Sequence, residues 1–162
     1  DKEGLFSAIV APVVTEMRNM FLEIQENFHH LDGDIQRTEM GQYTSRQQME
    51  LLDYIYDHFD EFKLLLTSGE NSTYQEFLHR VVEIDNQCTM RYIQASGNDA
   101  ISSGRLTPEL SHLLSSAFYT GMFEVVIHDM PKDQAVEHIQ RMRRFYIAGW
   151  KSIFFGDGGE NH

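Results

Sequence analysis

The spacing of apolar residues along the chain predicts an all-α protein. These residues recur every three or four positions through five long stretches, as on one face of a helix, and no stretch alternates as a strand does. The predicted helices run over about 3–28, 46–66, 72–96, 107–129 and 131–155, and the pattern allows a break in the second near Asp60. Residues 31–45 mix glycine, acidic residues and threonine without a clear period, which predicts a loop or a poorly ordered helix end.

The predicted boundaries carry the chemical signals of helix ends. Thr107, Pro108 and Glu109 supply a capping hydroxyl, a ring that fits the first helical turn and an acid for the positive helix end. Gly69 and Gly97 are placed to end their helices in a left-handed turn. Because the connections are short, the pattern predicts a single helical domain.

The last two predicted helices are apolar on more than one face. In 107–129, one stripe contains Leu110, Leu114 and Val125, whereas Tyr119 and Phe123 lie in a second stripe on the opposite side. A single core covers only one of these stripes, so the other is predicted to face a second copy of the chain. We therefore expect a helical homodimer. A monomeric bundle with both helices at its centre is the alternative.

The charge balance argues against several classes of partner. The chain has 13 Lys and Arg against 25 Asp and Glu, a formal net charge of −12, which repels phosphate backbones and anionic lipid. Cys88 is the single cysteine, so it forms no internal disulfide, in keeping with a reducing compartment. No apolar run reaches the length of a membrane span, and the opening residues do not resemble a signal peptide. The sequence therefore predicts a cytoplasmic protein without a membrane partner.

Several segments resemble the C-terminal regulatory domain of TetR-like (tetracycline-repressor-like) transcription regulators. Asp1–Val10 is similar to the start of the long helix that follows the recognition helix in that family, and Ala117–Glu124, His128–Met130 and Phe145–Lys151 are similar to its last two helices. The resemblance covers 1–155 and implies an all-α TetR-like bundle that binds a ligand and dimerises. Within it, 1–28 would connect to a DNA-binding head that this chain lacks, and 156–162 would form a flexible tail.

The same resemblance implies a function. In the family the last two helices form a four-helix bundle with their copies, and the preceding helices enclose a small-molecule pocket. This chain would then be the regulatory domain of a non-enzymatic repressor, in which an effector shifts the dimer away from its DNA-binding state. Operator DNA would be contacted only through the head. The effector, the operator, the regulated genes and the choice between repressor and activator stay open. The predicted dimer interface consists of His112, Ser116, Tyr119, Phe123, Val126, Ile127, Ile139, Tyr146 and Trp150.

Asp85 has the most unusual position in helix 72–96, because it falls in the middle of an apolar face. An unpaired buried carboxylate is unfavourable. Asp85 is therefore predicted either to meet a cationic or hydrogen-bond-donating ligand, or to be held within the fold, for example by one of the arginines at 141, 143 and 144. Around it the pocket would use aromatic and sulfur-containing side chains, which also suit an ordinary core. The predicted ligand-binding residues are Tyr56, Phe59, Phe62, Phe77, Val81, Asp85, Cys88, Tyr92, Phe118 and Met122.

A metal site is the main rival hypothesis. The Glu-x-x-His motif of ferritin-like di-iron bundles occurs three times, at Glu26/His29, Glu76/His79 and Glu109/His112. Glu76 and His79 project to the polar side of their helix, and Glu109 lies in a first turn, where an acid commonly serves the helix dipole. No metal or other cofactor is therefore expected. A ferritin-like metalloenzyme and a dimerisation module without an effector are the alternative functions.

Overall fold

A computed structural model of the chain describes residues 1–68 and 72–156. Over these residues the protein consists of six helices and no strand, which confirms the all-α prediction. The helices are α1 (Lys2–His29), α2 (Gly33–Asp57), α3 (Phe59–Thr67), α4 (Ser72–Ser96), α5 (Pro108–Ile127) and α6 (Lys132–Phe155). Gly69 and the tail beyond Gly156 lie outside the described residues, and so do the predictions made for them.

Helix α2 is the main departure from the sequence prediction. The sequence predicts a loop or a poorly ordered helix end over 31–45, and the loop is wrong for most of that range, because α2 begins at Gly33. Several of the buried positions of α2 are glutamines rather than apolar residues, so the helical period is not visible in hydrophobicity. Tertiary contacts hold its start instead. The Gln36 amide donates to Leu31 O at 2.8 Å, and Arg37 donates to Ser96 O at 2.6 Å. A Cβ at Gly33 would lie 2.1 Å from Ala95 O, so only glycine fits this close approach.

The other helix ends follow the sequence signals closely. The break expected near Asp60 falls at His58, between α2 and α3. Thr107 caps α5 by accepting a hydrogen bond from Leu110 N at 3.1 Å. Gly97 has φ of 69°, the left-handed conformation expected after α4. These ends depend on neighbouring residues only, which is why the sequence was sufficient to predict them.

Two apolar clusters hold the helices together. The larger one joins all six helices, with α6 contributing its fully buried residues from its first half only, and Phe21, Phe62 and Phe123 are fully buried in it. The smaller one lies around Phe28 and Leu106, at the α4–α5 connection. Near this second cluster, Arg105 donates from Nε to Ile153 O at 2.7 Å and from Nη2 to Phe154 O at 3.0 Å. Arg105 thus satisfies carbonyl groups at the end of α6 that the helix itself leaves unpaired.

The predicted dimer face is wrong at four of its positions. Tyr119, Phe123, Val126 and Ile139 are at most 2% exposed in the single chain, so no second chain can cover them further. The period of α5 revealed two apolar stripes but not which of them faces inward. The other predicted interface residues remain accessible to different degrees: His112 is exposed, whereas Ser116, Ile127, Tyr146 and Trp150 are half-buried. The large apolar side chains left in solvent on α5 and α6 include Leu113, 64% exposed, and Phe145, 76% exposed.

Two helices, Lys2–His29 and Pro108–Ile127, have the length and apolar composition of a membrane-crossing helix. Both contribute buried residues to the larger cluster, and core helices of soluble proteins pass the same test. These two helices therefore do not establish where the protein resides.

Candidate functional site

A cavity of about 240 Å³ lies between α2, α4, α5 and the second half of α6. Its wall includes Tyr43 and Tyr92, which belong to the smaller apolar cluster. It also includes Phe118 and Tyr119, which belong to the larger one. The cavity therefore sits where the two clusters meet. Further aromatic side chains on α6 line it: Tyr146, Trp150, Phe154 and Phe155. An aromatic wall with a few polar groups is typical of a small-molecule site.

Four of the ten predicted ligand-binding residues line this cavity: Asp85, Cys88, Tyr92 and Phe118. The other six do not. Phe62 and Met122 are core residues, at most 1% exposed, and Phe77 and Val81 line a separate cavity of about 230 Å³ beside α1. The Tyr56 hydroxyl donates to Met130 O at 2.6 Å, and Phe59 packs on the Tyr56 ring. These six lie away from the cavity because each of them is part of the larger apolar cluster or packs against it.

Asp85 is held in the cavity wall by two hydroxyl groups on α5. Ser115 Oγ donates to Oδ2 at 2.6 Å, and the Tyr119 hydroxyl donates to Oδ1 at 3.3 Å. Burial raises the pKa of Asp85, and the two hydrogen bonds oppose that shift because they favour the carboxylate. Among the described residues Asp85 has no cationic partner. Arg141 pairs with Glu137, and Arg143 donates to Gly41 O. The predicted salt bridge to an α6 arginine is therefore not formed.

Cys88 lies one turn from Asp85 and contacts helix α1. Its Sγ is 3.1 Å from His29 Nε2. Burial raises the pKa of the Cys88 thiol, whereas it lowers the pKa of the His29 imidazole. Both shifts favour the neutral forms, so this pair has the character of a packed contact rather than of an activated nucleophile.

The cavity wall contains several polar groups whose hydrogen bonding is incomplete. The Tyr43 hydroxyl, Gln47 Nε2, Gln48 Oε1 and Arg143 Nε are buried atoms without a partner in the described part of the chain. Burial is the main cause of the raised pKa of Tyr43, so its hydroxyl stays protonated and can donate a hydrogen bond. Since a buried polar atom without a partner is unfavourable, these groups are suited to bind a polar molecule.

The formal charge of the cavity wall is opposite to that of the whole chain. Arg37, Arg143 and Lys151 line it together with a single acid, Asp85. Arg37 is already engaged by Asp34 at 3.3 Å and by Ser96 O. Arg143 makes no ion pair with a described residue, and burial lowers its pKa. Lys151 also makes no ion pair with a described residue, but it is exposed to solvent. Among the charged lining residues that are at least partly buried, Asp85 and Arg143 thus lack an opposite charge in the described part of the chain.

Helix α1 packs directly on the back of this wall. The Phe28 ring stacks on Tyr43 with centroids 4.2 Å apart, and Phe21 makes an edge contact with Tyr119 at 6.1 Å. Together with the contact between His29 and Cys88, these pairs connect three cavity residues to one helix. A movement of these cavity residues would therefore change the packing of α1 directly.

The geometry also bears on the metal hypothesis. Across residues 1–68 and 72–156, no group of three or more His, Cys, Asp and Glu side chains is arranged to hold a metal ion. In the first of the three motifs, Glu26 is engaged by Arg91 at 2.5 Å. The motifs are therefore not assembled into a shared site in the described structure.

Comparison of this chain with protein-family models, with curated proteins and with solved structures finds no match. The cavity must therefore be interpreted from its own residues. The sequence does not reveal the α2 side of the cavity, because residues 31–45 lack a clear apolar period and predict a loop or a poorly ordered helix end. It predicts Tyr146 and Trp150 at the dimer interface, although both line the cavity. The cluster Arg141–Arg144 was the available signal for Arg143, but a solvated helix face explains such a cluster equally well.

Proposed function

We propose that this chain is the effector-binding and dimerisation domain of a TetR-like transcription regulator. The observation that carries the proposal is the aromatic cavity with Asp85 in its wall, enclosed by helices of an all-α bundle. The sequence resemblance at both ends of the chain supplies the family. A cavity of about 240 Å³ exceeds the engineered cavity of about 150 Å³ that binds benzene, so it has room for an effector of roughly ten to fourteen non-hydrogen atoms.

The contacts of α1 suggest how the effector would act. A ligand that moves Tyr43, Cys88 or Tyr119 changes the packing of Phe28, His29 or Phe21 on α1. In the proposed function α1 leads to the DNA-binding head, so two packings of α1 correspond to two orientations of the heads in the dimer. The effector shifts their populations only by the difference between its affinities for the two states.

The dimer belongs to the same proposal, with a revised interface. Leu113 and Ala117 on α5 and Phe145 and Gly149 on α6 are exposed. The Phe118–Tyr146 ring contact, between residues adjacent to Ala117 and Phe145, shows that α5 and α6 pack against each other next to this surface. A Cβ at Gly149 would meet no atom within 4 Å, so another helix can approach there closely. We propose that this surface, rather than the Tyr119–Phe123 side of α5, pairs with its copy across a two-fold axis.

A thermal-shift screen tests the effector proposal. Cationic dyes, fatty acids and small phenols are screened against the purified chain, because they cover positive, negative and neutral ligands. A specific ligand at 100 times its Kd should stabilise the fold by about 2.7 kcal/mol. Leu114→Trp, which fills the cavity, should abolish the shift, whereas Leu113→Trp, on the exposed neighbouring position, should retain it. Failure of every ligand class to stabilise the chain would favour a dimerisation module without an effector.

A further inference from the structure

The two partly buried charges of the cavity wall that lack an opposite partner among the described residues lie on different helices. Asp85 is on α4, where both carboxylate oxygens accept hydrogen bonds from α5 hydroxyls and neither meets a cation. Arg143 is on α6, where it donates to a backbone carbonyl of α2 while its Nε has no described partner. A charge removed from water without a counter-charge is unfavourable. One ligand that supplies both counter-charges would remove both penalties.

The remaining wall defines the body of that ligand. Besides the charged residues, the cavity is lined by the aromatic side chains of Phe118, Tyr146 and Trp150. The lining positions on α6 extend from Arg143 to Phe155, about 18 Å along the helix axis. Such a wall favours an elongated apolar group, preferably aromatic. The buried polar atoms of Tyr43, Gln47 and Gln48 offer further hydrogen bonds to a charged head.

We infer that the cavity binds a small amphipathic zwitterion, an aromatic or branched apolar body with an ammonium group for Asp85 and a carboxylate for Arg143. This inference rests on the proposed effector function and specifies its ligand class. A purely cationic ligand would leave Arg143 without a partner and would face Lys151 as well. A purely anionic ligand would leave Asp85 without a partner.

A set of four probes with one phenylalkyl body tests the inference. Homophenylalanine carries both charges, 3-phenylpropylamine carries only the ammonium, 4-phenylbutyrate carries only the carboxylate, and 3-phenylpropanol carries neither. Trp150 is the only tryptophan and lines the cavity, so its fluorescence reports binding directly. We expect the zwitterion to bind about ten-fold more tightly than either singly charged probe, and the alcohol to bind most weakly.

Two variants assign each charge to its residue. Asp85→Asn should weaken the two ammonium-bearing probes about ten-fold and leave the butyrate and the alcohol unchanged. Arg143→Gln should weaken the two carboxylate-bearing probes and leave the amine and the alcohol unchanged. In each variant, unchanged binding of the two probes that lack the complementary charge shows that the protein is folded. Glu83→Gln and Arg144→Gln, at exposed positions on the same two helices, are the matched controls and should change no affinity.

The possible outcomes separate this inference from the proposed function. If all four probes bind with equal affinity, or if one singly charged probe binds as tightly as the zwitterion, the inference of a zwitterionic ligand is wrong. Either result would still support an effector cavity. Loss of binding to all four probes in either variant would also overturn the assignment of charges. No change in Trp150 fluorescence with any probe up to millimolar concentration would contradict the effector cavity itself.

Discussion

Asp85 is the residue whose charge is hardest to reconcile with stability alone. It accepts two hydrogen bonds from neutral hydroxyls, but it forms no ion pair with a described residue. Hydrogen bonds of this kind offset only part of the penalty of burying a carboxylate. The sequence located the unusual residue correctly, because an acid inside an apolar stripe is visible as a pattern. The sequence does not reveal its partners on α5, because only the packing of two helices brings their serine and tyrosine side chains to Asp85.

We predict that Asp85→Asn stabilises the ligand-free chain at neutral pH, and that this gain shrinks on acidification. Burial raises the pKa of Asp85 in the folded state, so between the unfolded pKa, about 3.9, and the folded pKa the folded chain binds more protons than the unfolded chain. Stability contributed by the protonated group is thus lost as the pH rises through this window, and asparagine does not suffer that loss. Urea denaturation of both proteins from about pH 4 to pH 7 measures the difference, with Glu83→Gln as the control. A variant that is less stable than wild type at pH 7 would show that Asp85 stabilises the fold.

At the scale of elements, α6 has two halves with different roles. Its fully buried residues, Ala135 and Ile139, lie in the first half, which packs in the larger apolar cluster. The second half lines the cavity and contains no fully buried side chain. Arg105 and Asn98, both in the α4–α5 connection, hold its end by hydrogen bonds to Ile153 O and Phe154 O. One wall of the cavity therefore depends on contacts made far away in the sequence.

We predict that Arg105→Gln weakens this attachment. The Arg105 guanidinium donates to two carbonyls at the end of α6 and pairs with Asp99, so its loss should reduce the free energy of unfolding by about 1 to 2 kcal/mol. Amide hydrogen exchange should increase in the last two turns of α6 and stay unchanged over its first half. Arg144→Gln, which removes the same charge from an exposed position on α6, should have neither effect. Equal exchange along the whole of α6 in Arg105→Gln would contradict the proposed attachment.

At the scale of the whole molecule, the position of the exposed apolar surface decides how two chains can meet. Phe145 and Leu113 present large apolar groups to solvent, whereas Phe123 lies at the centre of the core. An exposed apolar surface is a reason for association only if it is contiguous. Here the two exposed residues lie on helices α5 and α6, which pack against each other through the Phe118–Tyr146 contact.

We predict that Phe145→Glu separates the dimer while the monomer stays folded. The substitution places two negative charges against each other across the two-fold axis and should raise the dimer Kd about 100-fold. Leu5→Glu, on a similarly exposed apolar residue of α1, is the control and should leave the dimer intact. In contrast, Phe123→Glu should lower stability by at least about 3 kcal/mol. Light scattering and thermal melting measure both effects, and a wild-type chain that is monomeric at micromolar concentration would contradict the dimer.

We also predict that this chain does not bind duplex DNA by itself. Its net charge of −12 opposes counterion release, and its described cations are mostly paired or dispersed. Fluorescence anisotropy with mixed-sequence duplex DNA should show no association stronger than about 100 µM at physiological salt. Tight binding under these conditions would contradict the assignment of DNA contact to a separate head.

The sequence alone determined those features that depend on neighbouring residues: the helical class, the break at His58, the cap at Thr107 and the left-handed turn at Gly97. It also marked Asp85, because a charge in an apolar stripe is a local anomaly. Only the tertiary structure decided which stripe of α5 faces inward, since both stripes have the same period and similar hydrophobicity. It also decided that α2 forms, because the buried glutamines and the contact of Gly33 with α4 are invisible to a hydrophobic pattern. The cavity belongs to the same category. It arises where two apolar clusters meet, and the distance between helices there is set by the packing of all of them together.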